Sequence, residues 1–375
     1  MSQLVLLAAG GTGGHLFPAE ALASVLTARG FTVDLATDER AARYAGHFPA
    51  RELHVLPADT VRGRSAASLA RTGVALVSGL VKGLALMGKL KPAAVVGFGG
   101  YPTVPPLLAA SIMGVPSVVH EANGVMGRAN RMLARRVSAI ATGFPGLCAD
   151  DRVLAAKTVW TGNPLRPAVL AAAALPYDPP QPGGTLRVLV FGGSQGARVM
   201  SDVVPEAIER LDAALRERLD LVQQARPEDE ERVRATYARL GVKAEVLPFF
   251  DDLPARMANA HLVIARSGAG TVAELSAIGR PALLVPLPHA LDQDQAANAR
   301  TMSDAGGAKT LRQVEFDPDR LALELHTFAG EPQALTQMAD RARSQGVLDA
   351  AERLGDLVQH LAGGGAVKTF KGQKA

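Results

Sequence analysis

The chain has 375 residues, of which 48% are hydrophobic and 20% are charged. This balance excludes a disordered protein, and the length predicts two domains, because a single core rarely extends beyond about 300 residues. The net charge of +4 and the 4% of aromatic residues argue against nucleic-acid binding and suit an anionic ligand or an acidic lipid surface.

The first half of the chain alternates short apolar runs with helical patterns. The run Leu4–Ala9 leads into glycines, a helix is predicted from Pro18 to Arg29, and Phe31–Ala36 is the next strand. Further strands are predicted at 93–97 and 116–120. This alternation indicates a parallel, doubly wound sheet. The first run has no basic segment and no cleavage site, so we interpret it as a buried strand and not as a signal peptide.

The second half repeats this design. The apolar run Leu186–Phe191 enters a glycine loop at 192–196, and further strands are predicted at Leu262–Ala265 and Ala282–Val285. Each half therefore opens with a buried strand and a glycine loop, which predicts an α/β fold of two Rossmann-like domains.

A proline-rich stretch between residues 163 and 185 is typical of a linker. We therefore predict an N-terminal domain over residues 1–163 and a C-terminal domain over 164–345. The final segment, 346–375, is predicted to hold a helix that returns toward the N-terminal domain, followed by a frayed basic tail.

The loop from Gly10 to His15 lies between a predicted strand and a helix. Glycines let backbone N–H groups approach a ligand, but the loop matches neither a P-loop nor the dinucleotide fingerprint. A histidine just before a helix is kept neutral by the positive end of the helix dipole, so His15 could act as a general base. The alternatives are a tight turn and a histidine that only braces the loop.

A second glycine cluster, Gly97–Pro102, and the segment His120–Gly124 each follow a predicted strand. Loops at the ends of neighbouring parallel strands form one crevice, which we expect to hold an acceptor with its own diphosphate. The pair His120 and Glu121 lacks a further ligand at helical spacing, so we reject a zinc site.

The segment Arg266–Glu274 places small residues at a predicted helix start, where free N–H groups suit a diphosphate. Glu274, one turn into the helix, is positioned to accept hydrogen bonds from ribose hydroxyls; the alternative is a solvated glutamate. The sequence 292–294 resembles an Asp-x-Asp metal site, which we disfavour. The amides of Gln293 and Gln295 are better ligands for sugar hydroxyls.

Membrane contact is predicted to be peripheral. No stretch has the roughly 18–20 apolar residues of a spanning helix. The segment Ala67–Leu90 is apolar with few cations, which favours an interfacial helix on acidic lipid over the alternative of a core helix. We expect its lipid contacts to include Leu80, Leu84 and Leu86. The cations in and beside it are Arg62, Arg64, Arg71, Lys82, Lys89 and Lys91.

The chain has a single cysteine, Cys148, which excludes an intrachain disulfide and fits a reducing cytoplasm.

An ordered set of segments, spread from residue 5 to about 300, resembles the MurG family of peptidoglycan glycosyltransferases. The matching segments are Gly10–His15, Gly97–Pro102, His120–Gly124, Thr161–Arg166, Phe191–Arg198, Arg266–Thr271 and Gln293–Asn298.

The resemblance implies a GT-B fold and an inverting transfer of GlcNAc from UDP-GlcNAc to the muramyl-pentapeptide on undecaprenyl diphosphate, the step from lipid I to lipid II. We expect N–H groups at a helix start to stabilise the UDP leaving group, so we predict that no cofactor and no divalent metal are required. The expected partners are UDP-GlcNAc, lipid I, acidic membrane lipids and other cell-wall synthesis proteins, with no nucleic acid. The expected location is the cytoplasmic face of the bacterial inner membrane.

The resemblance also implies roles for individual residues. His15 matches the proposed base, and Glu121 is a second catalytic candidate. Phe250 would hold uracil through its backbone, and Gly99, Gly100 and Tyr101 would form an acceptor loop. The remaining substrate-binding candidates are Thr12, Gly13, Gly14, Asn123, Arg166, Ser194, Ala269, Gly270, Thr271, Val272, Ala273, Glu274 and Gln295.

Three alternatives stay open on the residues alone. One is another GT-B enzyme that uses a UDP-sugar, such as a glycolipid synthase or a 2-epimerase. Another is a UDP-sugar sensor without transferase activity. The third is an NAD-dependent oxidoreductase, for which Asp38 after the second strand would suit a ribose although the glycine spacing does not match.

Overall fold

The computed structural model describes residues 2–10, 13–39, 48–57, 66–288 and 293–372, with the backbone alone for 66–73. The chain forms two compact units. Unit 1 comprises Met1–Arg166 together with Leu348–Ala375, and unit 2 comprises Pro167–Val347. The divisions predicted after residues 163 and 345 lie a few residues before those of the structure.

Unit 1 is built on parallel strands joined by helices. Its strands are β1 (Leu4–Ala8), β2 (Thr32–Thr37), β3 (Leu53–Val55), β4 (Ala94–Gly97), β5 (Ser117–Glu121), β6 (Ala139–Thr142) and β7 (Thr158–Trp160). Its helices are α1 (Gly13–Ala28), α2 (Ala66–Leu90), α3 (Val104–Ile112), α4 (Arg128–Leu133), α5 (Arg152–Ala155) and α15 (Ala350–Ala362), with 3-10 turns at Tyr101–Thr103 and Val367–Thr369.

The described strands of unit 1 form a seven-stranded parallel sheet in the order β3-β2-β1-β4-β5-β6-β7. Alternate side chains point to opposite faces, so Leu7 packs into one core layer and Leu6 into the other. Both faces are covered, which explains why the strands read as continuous apolar runs.

The C-terminal helix α15 packs against α1 within unit 1. Its apolar face carries Leu354, Leu357, Val358 and Leu361, all almost fully buried. At the helix crossing, a Cβ at Gly355 would stand 2.9 Å from Val25 Cγ1, so glycine is needed for this close approach. The end of the chain therefore completes the core of the N-terminal unit.

Helix α2 packs against α3 through two glycines. A Cβ at Gly79 would lie 2.9 Å from Pro105 Cγ, and a Cβ at Gly83 would lie 3.3 Å from Ala109 Cβ. This close contact turns one side of α2 toward the core.

The orientation of α2 corrects a prediction about lipid contact. The residues expected to contact lipid, Leu80, Leu84 and Leu86, are partly buried and pack against the core of unit 1. The exposed apolar side chains are instead Val74, Val77 and Val81, which are 71%, 64% and 61% exposed. The prediction was wrong because hydrophobicity alone cannot tell which face of an apolar helix packs inward.

Unit 2 repeats the architecture with fewer strands. Its strands are β8 (Leu186–Phe191), β9 (Leu219–Gln224), β10 (Lys243–Leu247), β11 (Leu262–Ala265), β12 (Ala282–Leu284) and β13 (Ala308–Thr310). Its helices are α6 (Pro167–Ala173), α7 (Arg198–Arg210), α8 (Ala213–Glu217), α9 (Pro227–Arg239), α10 (Leu253–Asn259), α11 (Ala269–Ile278), α12 (Asp294–Asp304), α13 (Pro318–Gly330) and α14 (Pro332–Arg343).

The described strands of unit 2 form a six-stranded parallel sheet in the order β10-β9-β8-β11-β12-β13. As in unit 1, the chain runs outward from the first strand and then returns to its other side, so the order reverses beside β8. The predicted architecture of two parallel, doubly wound sheets is confirmed.

Candidate functional site

In unit 1, two glycine loops meet where the strand order reverses between β1 and β4. One loop follows β1 and contains Gly10, and the other follows β4 and contains Gly99 and Gly100. Ligands of open α/β sheets bind at this position, outside the carboxyl ends of the strands. Thr12, a predicted ligand of this loop, lies outside the described residues, whereas Gly13 and Gly14 form the start of α1.

His15 lies in the first turn of α1 and is partly buried. Its Nδ1 lies 3.1 Å from the carbonyl oxygen of Gly10. A carbonyl only accepts, so Nδ1 carries the proton in the neutral ring and Nε2 is the basic nitrogen. Burial lowers the pKa of His15, against smaller opposing effects of the Gly10 hydrogen bond and the charge of Glu121. The ring is therefore suited to accept a proton at neutral pH.

The second glycine loop passes directly beside the His15 ring. Gly99 and Gly100 have φ values of +92° and +76°, a region that disfavours other residues. A Cβ at Gly99 would stand 3.3 Å from His15 Nε2. Tyr101 follows in the 3-10 turn. The structure thus brings together His15 and the predicted acceptor loop.

Glu121 ends β5, and its side chain is 3% exposed. Its Oε1 accepts hydrogen bonds from the backbone N and the Nδ2 of Asn123, at 3.0 and 3.2 Å. Its Oε2 accepts from Gly127 N at 2.9 Å and from Asn130 Nδ2 at 2.8 Å. The two predicted residues Glu121 and Asn123 are therefore in direct contact. Asn130 was not predicted, because a residue nine positions away gives no local signal of this contact.

The side chain of His120, the residue before Glu121, bonds to the segment that follows β7. Its Nε2 lies 3.1 Å from the carbonyl oxygen of Gly162, which makes Nε2 the protonated nitrogen. Burial lowers the pKa of His120 to about 4, so the ring is neutral. Asn163 Nδ2 also donates to the carbonyl oxygen of Ala122 at 3.0 Å. Two motifs far apart in sequence, at 120–124 and 161–166, are thereby joined.

Arg166 lies beside the start of α1. Its guanidinium carbon stands 3.9 Å from the ring centroid of Phe17, a cation–π contact. A Cβ at Gly13 would in turn lie 3.1 Å from this ring. The structure places Arg166, a predicted nucleotide ligand, next to the first glycine loop. Phe17 was missed because an exposed aromatic on a helix gives no signal by itself.

In unit 2, helix α11 begins at Ala269 after the small residue Gly268. Its N-cap residue, Gly268, makes no side-chain capping bond, and the first-turn N–H groups of a helix suit an anionic ligand. The side chain of Val272 is 1% exposed, so this predicted residue can offer only its backbone. The other predicted positions on this helix are Gly270, Thr271, Ala273 and Glu274.

Gln295 and Ser267 connect α12 to the end of β11. Ser267 Oγ donates to the carbonyl oxygen of Gln295 at 2.8 Å, and Asn298 Nδ2 donates to the carbonyl oxygen of Ser267 at 3.1 Å. The side-chain oxygen of Gln295 accepts from Leu287 N at 3.0 Å. Gln295 therefore shapes the loop after β12, and its Nε2 is the group left for a sugar hydroxyl. Gln293 is exposed and has a left-handed φ of 51°.

Arg266 opens the motif Arg266–Thr271 and is a buried cation for which the sequence predicted no role. Its guanidinium donates to the carbonyl oxygens of Val285 and Pro286, at 3.0 and 3.1 Å, and to Gln313 Oε1 at 2.6 Å. Burial lowers its pKa. These contacts join the loops that follow three neighbouring strands, a role that no local pattern reveals.

Two further predicted residues lie at other loops of unit 2. Ser194 is exposed in the glycine loop after β8. Phe250 is 6% exposed, and Arg256 stacks over its ring at 4.7 Å from the centroid. The buried ring of Phe250 leaves its backbone as the part that can contact a base.

Among the described residues, the side chains of Asp34, Glu52 and His54 form one cluster whose possible ligand atoms lie close enough together to hold a metal ion. The buried carboxylate of Asp34 is already bonded to Arg51 at 3.0 and 2.7 Å and to His54 at 2.9 Å. We interpret it as an internal ion pair. Asp292, the first acid of the disfavoured Asp-x-Asp sequence, lies outside the described residues.

Comparison with known proteins assigns the family. The model of the glycosyltransferase family 28 N-terminal domain matches residues 5–142, and that of the C-terminal domain matches 187–354. A Rhodopseudomonas palustris (strain BisA53) protein is 61% identical over 362 residues, 96% of this chain and 97% of that protein. Its name is UDP-N-acetylglucosamine--N-acetylmuramyl-(pentapeptide) pyrophosphoryl-undecaprenol N-acetylglucosamine transferase. The crystal structure of MurG from Acinetobacter baumannii matches with a TM-score of 0.77 and 30% identity, over 96% of this chain and 99% of that one. The chain belongs to the MurG family.

The family resemblance and the GT-B fold expected for this MurG-family chain are therefore confirmed. A crystal structure of a putative UDP-N-acetylglucosamine 2-epimerase from Listeria monocytogenes also matches, with a TM-score of 0.69 and 15% identity over 100% of both chains. At that identity the likeness shows the fold alone. It does not favour the 2-epimerase alternative.

Proposed function

We propose that this chain transfers N-acetylglucosamine from UDP-GlcNAc to the muramyl-pentapeptide carried on undecaprenyl diphosphate, converting lipid I to lipid II. The observation that carries the proposal is 61% identity, over 96% of the chain, to a transferase named for this reaction. The reaction belongs to peptidoglycan synthesis.

The chemistry is a direct displacement at the anomeric carbon of the donor sugar. The oxygen of the muramyl 4-hydroxyl forms a bond to that carbon, and the bond from the carbon to the diphosphate oxygen breaks. The electron pair leaves with UDP, and His15 Nε2 takes the hydroxyl proton. Attack and departure occur on opposite faces, so the configuration inverts. The Nδ1 contact with Gly10 at 3.1 Å supports this role, because it directs the protonated nitrogen away from the reaction.

We propose that helix α11 stabilises the departing UDP without a required metal. The first turn of this helix, whose N-cap residue Gly268 makes no side-chain capping bond, presents N–H groups and the positive end of the helix dipole. Ala269, Gly270 and Thr271 would bind the diphosphate, and Glu274 would bind the ribose. Gln295 Nε2 and Asn123 would contact the sugar.

A product assay tests the reaction. The protein is incubated with UDP-GlcNAc and a short-chain lipid I analogue, with and without EDTA, and the products are read by mass spectrometry. We expect the acceptor to gain one N-acetylhexosamine in both conditions. An unmodified acceptor contradicts the transferase, conversion of the donor to an epimer supports the 2-epimerase, and loss of product with EDTA contradicts metal independence.

We also propose that the protein works at the cytoplasmic face of the plasma membrane as a peripheral protein that contacts acidic lipids. Val74, Val77 and Val81 lie on one exposed face of α2, and Lys82 and Lys89 are exposed on the same helix. Within the described ranges, no helix has the length and apolarity needed to cross a bilayer. Contacts with other cell-wall synthesis proteins stay a prediction.

A further inference from the structure

We propose that Glu121 is a positioning residue whose carboxylate holds the loop 122–127 and so sets the place of Asn123 in the donor-sugar site. The inference rests on the proposed function, in which Asn123 contacts N-acetylglucosamine. It assigns to Glu121 a different role from the catalytic one considered from sequence.

The carboxylate forms the centre of the loop's hydrogen bonding. One oxygen accepts from the backbone and the side chain of Asn123, and the other accepts from Gly127 and Asn130, at distances between 2.8 and 3.2 Å. Both ends of the loop are thus bonded to one buried side chain that is 3% exposed. Hydrogen bonds to a buried charged group are stronger than neutral ones, so they define the loop's conformation.

The same geometry argues against proton transfer by Glu121. Among the described residues, its four hydrogen-bond partners are all N–H groups, two of Asn123, one of Gly127 and one of Asn130. A proton added to either oxygen would face one of these donors and break its bond. Glu121 therefore serves as a fixed hydrogen-bond acceptor, and the proposed proton acceptor stays His15, whose Nδ1 lies 3.1 Å from the carbonyl oxygen of Gly10 and whose Nε2 is the basic nitrogen.

Two further hydrogen bonds hold the loop at Ala122 and at Met126. Asn163 Nδ2 donates to the carbonyl oxygen of Ala122 at 3.0 Å. A guanidinium nitrogen of Arg131 donates to the carbonyl oxygen of Met126 at 2.9 Å. These bonds keep the loop in place when Glu121 is changed, so we expect a displaced Asn123 in a folded protein.

The variant Glu121→Gln tests the proposal, because an amide of the same size turns an N–H group toward N–H donors. We expect the KM for UDP-GlcNAc to rise about ten- to a hundredfold, the range for lost hydrogen bonds to a charged group, with a smaller fall in kcat. The acid limb of the kcat/KM profile should persist and move to lower pH, because the charge of Glu121 no longer raises the pKa of His15. An unchanged KM with loss of the acid limb would make Glu121 the base and overturn the proposal.

A double-mutant cycle with Asn123→Ala separates positioning from an independent role. If Glu121 acts through Asn123, the combined loss in kcat/KM is smaller than the product of the two single losses. A combined loss equal to that product overturns the proposal.

Asn130→Ala removes one hydrogen-bond donor to Glu121 and replaces E121Q as the test if E121Q does not fold. We expect a KM rise of about twofold to tenfold with an unchanged acid limb, and an unchanged KM overturns the proposal.

Asp34→Asn is the matched control, because Asp34 is also a buried carboxylate of unit 1 with bonded partners. We expect this variant to lower Tm but to leave the KM and the acid limb unchanged. If its KM rises as much as that of E121Q, the effect of Glu121 is general destabilisation and the positioning role is overturned.

A wild-type protein that forms no product overturns the proposed function. An active wild type with unaltered KM in E121Q overturns only the role of Glu121.

Discussion

A single hydrogen bond decides which nitrogen of His15 can act as a base. The carbonyl oxygen of Gly10 fixes the proton on Nδ1, and the loop of Gly99 passes beside Nε2. A side chain at position 99 would fill the space beside Nε2, so the proposed base needs both glycine loops around it. Burial keeps the ring neutral, which is the form that a base requires.

We predict that His15→Ala lowers kcat by about 10²–10⁴-fold, the usual contribution of a general base, with little effect on UDP affinity. In the wild type, the acid limb of kcat/KM should lie below pH 6.5, because burial lowers the pKa of His15 and activity is lost as pH falls through it. Steady-state kinetics and calorimetry with UDP provide the measurements. The exposed His326 in unit 2 gives the control His326→Ala. Near-normal turnover of the first variant would exclude His15 as the base.

His120 makes the stability of unit 1 sensitive to acid. Its folded-state pKa is about 4, below the ordinary 6.5, so the unfolded chain binds more protons between these values. We predict that this stabilisation is complete above pH 6.5 and is lost as pH falls toward 4, a change of about 3 kcal/mol. His120→Gln can still donate to Gly162 and should flatten that part of the stability curve in urea titrations. An unchanged pH dependence in the variant would contradict this account.

At the scale of an element, helix α2 shows how packing selects a surface. Gly79 and Gly83 let α3 approach closely, which directs the leucines of α2 inward and leaves the valines exposed. An exposed valine stripe has no benefit in water, whereas it contributes favourable burial at a lipid interface. The same helix therefore packs against the core on one face, and its exposed valines form the surface that we propose for membrane contact.

We predict that the combined change of Val74, Val77 and Val81 to serine weakens binding to anionic vesicles by at least about tenfold. Each buried methylene contributes about 0.8 kcal/mol, so losing part of three side chains is sufficient. Vesicle flotation measures the effect, and product formation on a soluble acceptor should be unaffected. Leu323→Ser changes a 61% exposed side chain of unit 2 and is the control. Equal flotation of the triple variant and the wild type would rule out this surface.

At the scale of the whole molecule, the N-terminal unit depends on the end of the chain. Helix α15 fills the core beside α1, and Arg29 of α1 pairs with Glu352 and Asp356 of α15. The ion pairs are partly exposed and contribute little, so the apolar face of α15 supplies most of the stabilisation. A unit built from two separated parts of the chain can complete its core only after α15 has been synthesised.

We predict that a chain ending at residue 347 does not form a stable unit 1. Four almost fully buried side chains would be lost, each worth about 1.5–3 kcal/mol, against a typical stability of about 5–15 kcal/mol. Thermal unfolding and dye binding to exposed apolar surface report the result. A chain ending at Gly363 retains α15 and should keep its cooperative transition. An unaltered transition in the shorter chain would contradict the prediction.

The sequence by itself determined the architecture, the family and most of the candidate site. Apolar runs that end in glycine loops predict parallel strands and their ligand-binding ends, because strand patterning and turn chemistry are local properties. The ordered motifs predicted substrate-site roles for His15 and Asn123 of unit 1 and for Glu274 of unit 2, and these roles stay predictions. These inferences needed no knowledge of which residues meet across the fold.

The tertiary structure decided what depends on contacts between distant residues. It showed which nitrogen of His15 carries the proton, that Glu121 is a hydrogen-bond acceptor, and that the side-chain oxygen of Gln295 is bonded to Leu287 N. It also brought Asn130 and Arg266 into the candidate sites. It also reversed the expected orientation of α2. A hydrogen bond or a packed face involves a partner whose position is set by the whole fold, so the local pattern around either residue does not contain it.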